Sequence, residues 1–272
     1  MNTQRIKTTL IKFLGSKTMS YIQALRFVYI LKINKCPDPE VHLLDSLLQN
    51  GDTAIDVGAN SADWTYYLHQ CTGDNGNIFA FEADPYYASA TELTIKFLRL
   101  KGIHFFPFGL SNKNEEAMLR IADVHGQRSS GLGYVDKGAR RNDRNAAIVQ
   151  LKMLDSLLLD HRILSETKLI KCDVEGYELF VFQGATKILD AARPVIILEV
   201  GNYDKHGYTA QDVHKFFVEK RYMCFVMTQN GILVETDYSM NHGRGVSVNR
   251  VLIPKEKVEV IRKSLQIELK SA

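Results

Sequence analysis

Residues 53–60 of this 272-residue chain, Thr-Ala-Ile-Asp-Val-Gly-Ala-Asn, decide the fold. The first five form a short apolar run, which predicts a buried β-strand at Thr53–Val57. Gly58 follows at once and, because it has no Cβ atom, permits a tight turn and the close approach of a ligand to the backbone. A helix is predicted to begin at about Ala62. A strand, a tight turn and a helix form the opening unit of an α/β sheet.

The same alternation continues along the chain. We predict further strands at 77–82, 104–106, 118–123, 148–151, 168–173, 194–200, 222–228 and 249–253. Helices are predicted at 62–70, 86–101, 177–190 and 210–220. Strands that alternate with helices form a mostly parallel sheet covered on both faces. Residues 126–145, rich in glycine and arginine, are predicted to be a mobile loop.

The charge of the chain is unevenly distributed. It has 34 Lys and Arg residues against 31 Asp and Glu residues, a formal net charge of +3. Seven of the basic residues fall in 1–37, where there is no acid: Arg5, Lys7, Lys12, Lys17, Arg26, Lys32 and Lys35. A hydrophobic content of 45% excludes a disordered chain. We therefore predict a basic helical arm at 1–48 and a single domain at 49–272.

The spacing of the four cysteines and the length of the apolar runs indicate the cellular compartment. Cys36, Cys71, Cys172 and Cys224 are far apart in sequence and form no CxxC pair, which is typical of reduced thiols in an intracellular protein. No apolar run reaches the 18 or so residues of a membrane span, and no signal-peptide pattern is present. We expect a cytoplasmic protein, with peripheral contact at a membrane as an option for the arm.

Residues 19–33 of the arm place Ile22, Leu25, Tyr29 and Ile33 at helical spacing. We expect this apolar face to pack on the domain. The alternative is an interfacial helix that rests on an anionic membrane through residues 1–37. No nucleic-acid partner is expected, because the remainder of the chain is acidic and no aromatic and basic RNA-binding module is visible.

Acidic residues stand at the carboxyl ends of several predicted strands. In open α/β sheets ligands bind at this edge. Asp56 would repel a pyrophosphate but suits a cationic ligand group. Glu82 lies at the position where such folds accept the hydroxyls of a ribose. The dinucleotide fingerprint G-x-G-x-x-G and the P-loop lysine are both absent.

Four segments carry a family resemblance: Asp56–Asn60, Phe81–Pro85, Lys171–Glu178 and Pro194–Val200. They resemble the FkbM methyltransferases, which are S-adenosylmethionine-dependent O-methyltransferases. The resemblance covers residues 52–200. It implies a class I methyltransferase fold, which is a Rossmann-like, mostly parallel, seven-stranded sheet with helices on both faces, here with an N-terminal helical arm.

The resemblance also implies which residues bind S-adenosylmethionine. Asp56, Gly58 and Asn60 would line the methionine end, with Asp56 facing the ammonium group, and Glu82 would hold the ribose hydroxyls. The segment 108–111 would pass near the adenine. The implied cofactor-binding residues are Asp56, Gly58, Ala59, Asn60, Glu82, Gly109, Ser111 and Asp173. Ser129 and Ser130 match a serine-containing loop of the family.

An alcohol needs a base, or a metal that lowers its pKa, before it attacks a methyl group. Asp173 is our first candidate for the base or the orienting group, with Glu199 beside it on the next strand. His242, in a late glycine-containing loop, is a secondary candidate. Glu175 is either functional or a charge that favours a helix N-terminus. Asp173, Glu175 and Glu199 could alternatively hold one divalent cation.

The acceptor is predicted to be a small molecule or glycan. A basic run, Lys137, Arg140, Arg141 and Arg144, is either a solvated surface or a lid that meets an anionic acceptor. The predicted function is methyl transfer from S-adenosylmethionine to a hydroxyl, with a sugar of a glycan or glycolipid as the preferred acceptor. The alternatives are an NAD-linked oxidoreductase on a similar sheet and a non-catalytic scaffold.

Overall fold

The computed structural model describes residues 3–33, 38–121, 123–124, 127–128, 133–136, 138–143, 145–157, 165–200, 203–237 and 249–268. The helices are α1 (Thr3–Ile33), α2 (Leu44–Leu47), α3 (Asp63–Thr72), α4 (Pro85–Leu98), α5 (Leu154–Leu157), α6 (Glu178–Gln183), α7 (Thr186–Ala191), α8 (Ala210–Glu219) and α9 (Val258–Ile261). Short 3₁₀ helices lie at Pro39–Leu43, Tyr203–His206 and Lys255–Lys257.

The strands are β1 (Thr53–Val57), β2 (Asn77–Phe81), β3 (Ile103–Phe106), β4 (Gly109–Leu110), β5 (Glu115–Arg120), β6 (Asp123–Val124), β7 (Gln127–Arg128), β8 (Tyr134–Val135), β9 (Ala146–Lys152), β10 (Thr167–Cys172), β11 (Val195–Glu199), β12 (Tyr222–Met227), β13 (Leu233–Glu235), β14 (Asn249–Pro254) and β15 (Ile267–Glu268).

The main sheet has the strand order β15-β13-β12-β14-β11-β10-β1-β2-β3. From β3 to β11 all neighbours are parallel, and β14 runs antiparallel to both β11 and β12. The seven strands from β3 to β12 confirm the predicted mostly parallel α/β fold. Two short strands, β13 and β15, extend it to nine. The strand order reverses between β1 and β10, which is where such sheets bind ligands.

The central strands are buried because helices cover both faces of the sheet. Alternate residues of β1 belong to different core clusters: Ile55 and Val57 pack on one side, and Ala54 on the other. Leu44 and Leu48, from the segment that precedes β1, join the second of these clusters. Residues 44–48 thus contribute directly to the core beneath the sheet.

A second sheet, with the order β4-β9-β5-β8, contains part of the stretch predicted to be a loop. Tyr134 and Val135 form β8, which pairs with β5. The turn that follows is held by Arg120, which lies 2.5 Å from a carboxylate oxygen of Asp136 and 3.2 Å from one of Asp143. Ion pairs and strand pairing, which composition does not reveal, account for the difference.

The helix predicted at 177–190 is interrupted and forms α6 and α7. Gly184 lies between them and is packed against another segment, since a Cβ atom at this position would lie 2.0 Å from the carbonyl oxygen of Ser111. A close backbone approach of this kind requires glycine and is invisible to helical periodicity.

Helix α1 packs on α4 through a different face from the predicted one. Ala24, Phe27 and Leu31 are buried, and the ring of Phe27 stacks on Tyr87 of α4 with 6.4 Å between the centroids. The face expected to pack on the domain is exposed: Ile22, Leu25, Tyr29 and Ile33. That expectation was wrong because apolar residues lie on both sides of this helix, and helical spacing alone does not say which side contacts the domain. None of the described helices is long and apolar enough to cross a bilayer.

Candidate active site

A cavity lies between the carboxyl edge of the main sheet and the second sheet, where the strand order reverses. It is a cleft partly open to solvent, with an empty volume of about 850 Å³ that includes the open part. The lining residues are Val57, Gly58, Asn60, Phe81, Glu82, Ala83, Asp84, Tyr87, Gly109, Leu110, Leu119, Ile121, Gly133, Val135, Leu151, Asp173, Val174, Glu175 and Tyr177.

The turn after β1 touches the end of β10 at the base of this cavity. Gly58 has a φ of +87°, and a Cβ atom on it would lie 1.9 Å from the carbonyl oxygen of Asp173. The backbone N–H of Asp173 also donates to the carbonyl of Val57 at 2.9 Å. Only glycine both adopts this positive φ without strain and leaves room for the carbonyl of Asp173. The glycine of the turn therefore fixes the position of Asp173.

Glu82 connects two walls of the cavity. Its carboxylate accepts hydrogen bonds from the backbone N–H groups of Asn60 (2.8 Å) and Asp84 (2.7 Å). Burial raises the pKa of Glu82 to about 7 despite these two bonds. The side-chain Oδ1 atom of Asn60 is buried and has no hydrogen-bond partner among the described residues. The cavity wall thus offers both a carboxylate and an unsatisfied acceptor.

Three predicted cofactor-binding residues, Asp56, Ala59 and Ser111, do not line the cavity. Asp56 is 1% exposed and accepts a 2.5 Å hydrogen bond from the hydroxyl of Thr65, and burial raises its pKa to about 6. Ala59 and Ser111 are buried and donate their backbone N–H groups to Phe81 and Lys152. These residues shape the turns behind the wall, whereas Gly58, Asn60, Glu82, Gly109 and Asp173 form part of the wall itself.

Asp173, Glu175 and Glu199 form an acidic cluster at this edge. One carboxylate oxygen from each lies within 4.8 Å of the other two. Burial and the adjacent Asp173 carboxylate raise the pKa of Glu199 well above its ordinary value. Burial raises the pKa of Glu175 to about 7, and Asp173 contributes to that shift. The cluster can share a proton between two carboxylates or bind a divalent cation through oxygen ligands.

A buried lysine lies beneath the acidic cluster. The ammonium group of Lys171 is 3.9 Å from a carboxylate oxygen of Asp173 and donates a 3.0 Å hydrogen bond to Asn249. Asn249 in turn donates to the buried carboxylate of Glu40 at 2.9 Å. Our sequence reasoning missed this role for Lys171, although a lysine within the apolar run of β10 was the available signal.

Several of the remaining predicted residues are not among those that the structure describes. His242, Ser129, Ser130, Lys137 and Arg144 lie outside the described residues. Arg140 and Arg141 are exposed, and Arg141 is 3.3 Å from a carboxylate oxygen of Glu116.

A mostly parallel sheet whose order reverses beside a glycine turn, with a carboxylate at the end of the second strand, defines the class of the protein. It has the class I fold of S-adenosylmethionine-dependent methyltransferases. The model of the methyltransferase FkbM domain matches residues 56–224, more than half of the chain. The chain belongs to the FkbM methyltransferase family, whose cofactor is S-adenosylmethionine.

Several solved structures are similar to this chain at low sequence identity. The FkbM methyltransferase of Methylobacillus flagellatus is 12% identical, with a TM-score of 0.48, over 90% of this chain and 60% of that one. An O-methyltransferase of Thermotoga maritima is 14% identical, with a TM-score of 0.44, over 84% of this chain and 71% of that one.

A putative methyltransferase of Streptococcus mutans, solved in complex with SAH, is 11% identical, with a TM-score of 0.44, over 79% of this chain and 94% of that one. The present chain thus spans less than two thirds of the M. flagellatus protein. None of the curated proteins compared matches it.

Proposed function

We propose that this protein transfers a methyl group from S-adenosylmethionine to a hydroxyl of a small acceptor, a sugar of a glycan or glycolipid. The observation that carries the proposal is the position of Asp173. Its carboxylate lies in the cavity wall, its backbone is held against Gly58, and Glu175 and Glu199 surround it. A base placed beside a cofactor cavity is what O-methylation requires of the protein.

The described residues suit this cofactor. The carboxylate of Glu82 keeps free lone pairs for the ribose hydroxyls while it accepts two backbone N–H groups. The unsatisfied Oδ1 of Asn60 is an acceptor for the ammonium group at the methionine end. Apolar side chains of Phe81, Leu110 and Leu151 offer a surface for the adenine.

When bound, the cofactor supplies a methyl group on a positively charged sulfur, which becomes a thioether once the methyl group has left. The chain's residues position the acceptor and remove its proton. Asp173 accepts the proton of the acceptor hydroxyl as the oxygen forms its bond to the methyl carbon. Glu199, which stays protonated because of its raised pKa, donates to the Asp173 carboxylate and orients it. The Asp173 carboxylate also suits a hydroxyl of a sugar, because its oxygens accept the hydrogen bond that the hydroxyl donates.

A bound divalent cation is the second candidate for activating the hydroxyl. The observation that favours it is the convergence of Asp173, Glu175 and Glu199 within 4.8 Å. Oxygen ligands of this kind suit magnesium or calcium. Turnover that disappears after treatment with a chelator and returns with added magnesium would assign the activation to the metal.

The test of the proposal is methyl transfer from labelled cofactor to a panel of glycans, glycolipids and non-sugar alcohols. We expect label in the sugars, and we expect Asp173→Asn to reduce turnover by at least about a hundredfold, the usual contribution of a general base. Cofactor affinity should stay within a few-fold. Asp190→Asn is the matched control, because this exposed carboxylate on α7 pairs with Lys220 away from the cavity.

Two results would contradict the proposal. Full activity of the Asp173→Asn protein would remove the base from the mechanism. Label found only in non-sugar alcohols would leave methyl transfer intact and overturn the choice of acceptor.

A further inference from the structure

Exposed apolar side chains are concentrated on one surface of the molecule. Nine large apolar side chains are exposed in the described part of the chain, and five of them lie on α1 between residues 21 and 33. A sixth, Phe97 of α4, lies beside Tyr21 with 6.0 Å between the ring centroids. We call this surface the α1 stripe; it consists of Tyr21, Ile22, Leu25, Tyr29, Ile33 and Phe97.

The α1 stripe is continuous and strongly exposed. Its helical members are 47% to 63% exposed. Tyr21, Leu25, Tyr29 and Ile33 recur every four residues, so they lie one above the other on one helix face. The opposite face, with Ala24, Phe27 and Leu31, is already buried against the rest of the molecule. A contiguous exposed apolar surface of this kind marks an interaction site.

Positive charge borders the stripe. Lys17, Arg26 and Lys32 are exposed on the same helix. Residues 1–37 contain seven basic residues and no acid. Apolar and aromatic side chains flanked by Lys and Arg are the composition of helices that lie in the interface of an anionic bilayer, where tyrosine is favoured.

The α1 stripe is linked to the cavity through the packing of α1 on α4. Contacts of Tyr21 with Phe97 and of Phe27 with Tyr87 show that α1 and α4 run antiparallel. Tyr87 lines the cavity. The C-terminal half of α1, with Tyr29 and Ile33, therefore lies towards the carboxyl edge of the sheet, where the cavity is.

We infer that the α1 stripe binds the surface of an anionic lipid bilayer, with α1 lying in the plane of the interface. Basic side chains contribute attraction to anionic headgroups, and the apolar side chains enter the boundary of the acyl chains. The cavity-side end of α1 would then be held near the membrane. An acceptor carried on a lipid would reach the site without leaving the bilayer.

Charge argues against a second copy of the chain as the occupant. Two stripes packed face to face would bring Lys17, Arg26 and Lys32 against the same cations of the partner, with no described acid on this face of α1 to compensate. An anionic lipid surface complements both the apolar and the charged parts of the stripe.

The test is sedimentation of the full chain with vesicles of phosphatidylcholine alone or of equal parts phosphatidylcholine and phosphatidylglycerol, without cofactor. We expect binding to the mixed vesicles at low salt, at least tenfold weaker binding to phosphatidylcholine, and a loss of binding as salt rises. The double variant Leu25→Glu with Tyr29→Glu should bind the mixed vesicles at least tenfold more weakly. Val218→Glu with Val260→Glu is the matched control, since both valines are exposed elsewhere.

The inference is overturned if the wild-type chain does not sediment with mixed vesicles at low salt, or if the stripe variant sediments as the wild type does. A dimer in solution that the stripe variant dissociates, without vesicle binding, would assign the stripe to self-association instead. Vesicle binding needs no methyl transfer, so failure of the proposed function would leave this result unchanged.

Discussion

Lys171 is a buried cation whose charge acts on Asp56 and Glu199, two acidic groups at this edge of the sheet. Its ammonium group lowers the pKa of both Asp56 and Glu199, although burial dominates and both values remain raised. It is 1% exposed, so water screens its charge very little. We interpret Lys171 as a positioning residue that favours the ionised form of the surrounding carboxylates.

Replacing Lys171 with methionine should move the pH dependence of catalysis. Without the ammonium group, the pKa values of Asp56 and Glu199 rise further, so ionisation requires a higher pH. Glu199 acts in its protonated form, so the basic limb of the kcat/KM profile, where Glu199 loses its proton, should shift upward by at least about one pH unit, because a buried ammonium group favours the charged form of a neighbouring carboxyl. The measurement is a pH–rate profile of the folded variant.

Lys168→Met is the control for this variant, since Lys168 lies on the same strand and is exposed. Lys171→Met should also lose about 1–3 kcal/mol of unfolding free energy, because the buried Oδ1 atom of Asn249 loses the hydrogen bond from the ammonium group. An unchanged pH profile in folded Lys171→Met would show that the ammonium group has a structural role only.

Among the elements, the turn after β1 requires glycine most strictly, because Gly58 lies against the backbone of Asp173. Gly207→Ala and Gly58→Ala both place a side chain at positive φ, +77° and +87°, but only the second meets a backbone atom. Gly58→Ala should therefore destabilise the protein by about 1–3 kcal/mol more than Gly207→Ala, the usual cost of overpacking. It should also weaken S-adenosylmethionine binding at least tenfold, because Asp173 is displaced.

Thermal unfolding and cofactor titration of both variants test this account of the turn. Equal stability of the two variants would mean that the contact between Gly58 and Asp173 relaxes without cost.

The central strands could be predicted from sequence because a buried parallel strand is a short apolar run. β1 occupies the predicted residues, β2 ends one residue earlier than predicted, and β10 and β11 differ from the predicted bounds by one residue at each end. The features that we did not predict depend on contacts between residues that are distant in sequence. The break at Gly184 is caused by Ser111, and the inward position of Asp56 by Thr65 and Lys171.

At the scale of the molecule, local periodicity could not choose between the two apolar sides of α1. That choice depends on how the two helices pack, since Phe27 packs on Tyr87 and Ala90 of α4. The helix could be predicted from the spacing of its apolar residues, whereas the exposed stripe became visible only after the packed side was known. The cavity, too, could not be predicted from local periodicity, because its far wall is the second sheet.

The whole molecule unites a cofactor cavity, an acidic cluster and a basic apolar surface in one arrangement. Both sheets and the turn after β1 contribute walls to the cavity, so cofactor binding reports on the assembled fold. Glu82, with two backbone donors and a raised pKa, is the side chain to which the proposed function gives the most specific role in binding.

Calorimetric titration of the full chain with S-adenosylmethionine, and separately with NAD, tests most directly that this protein binds S-adenosylmethionine. We expect saturable binding of S-adenosylmethionine at a single site, at least tenfold weaker binding in Glu82→Leu, and no heat with NAD. Binding of NAD in place of S-adenosylmethionine, or unaltered S-adenosylmethionine affinity in folded Glu82→Leu, would contradict it.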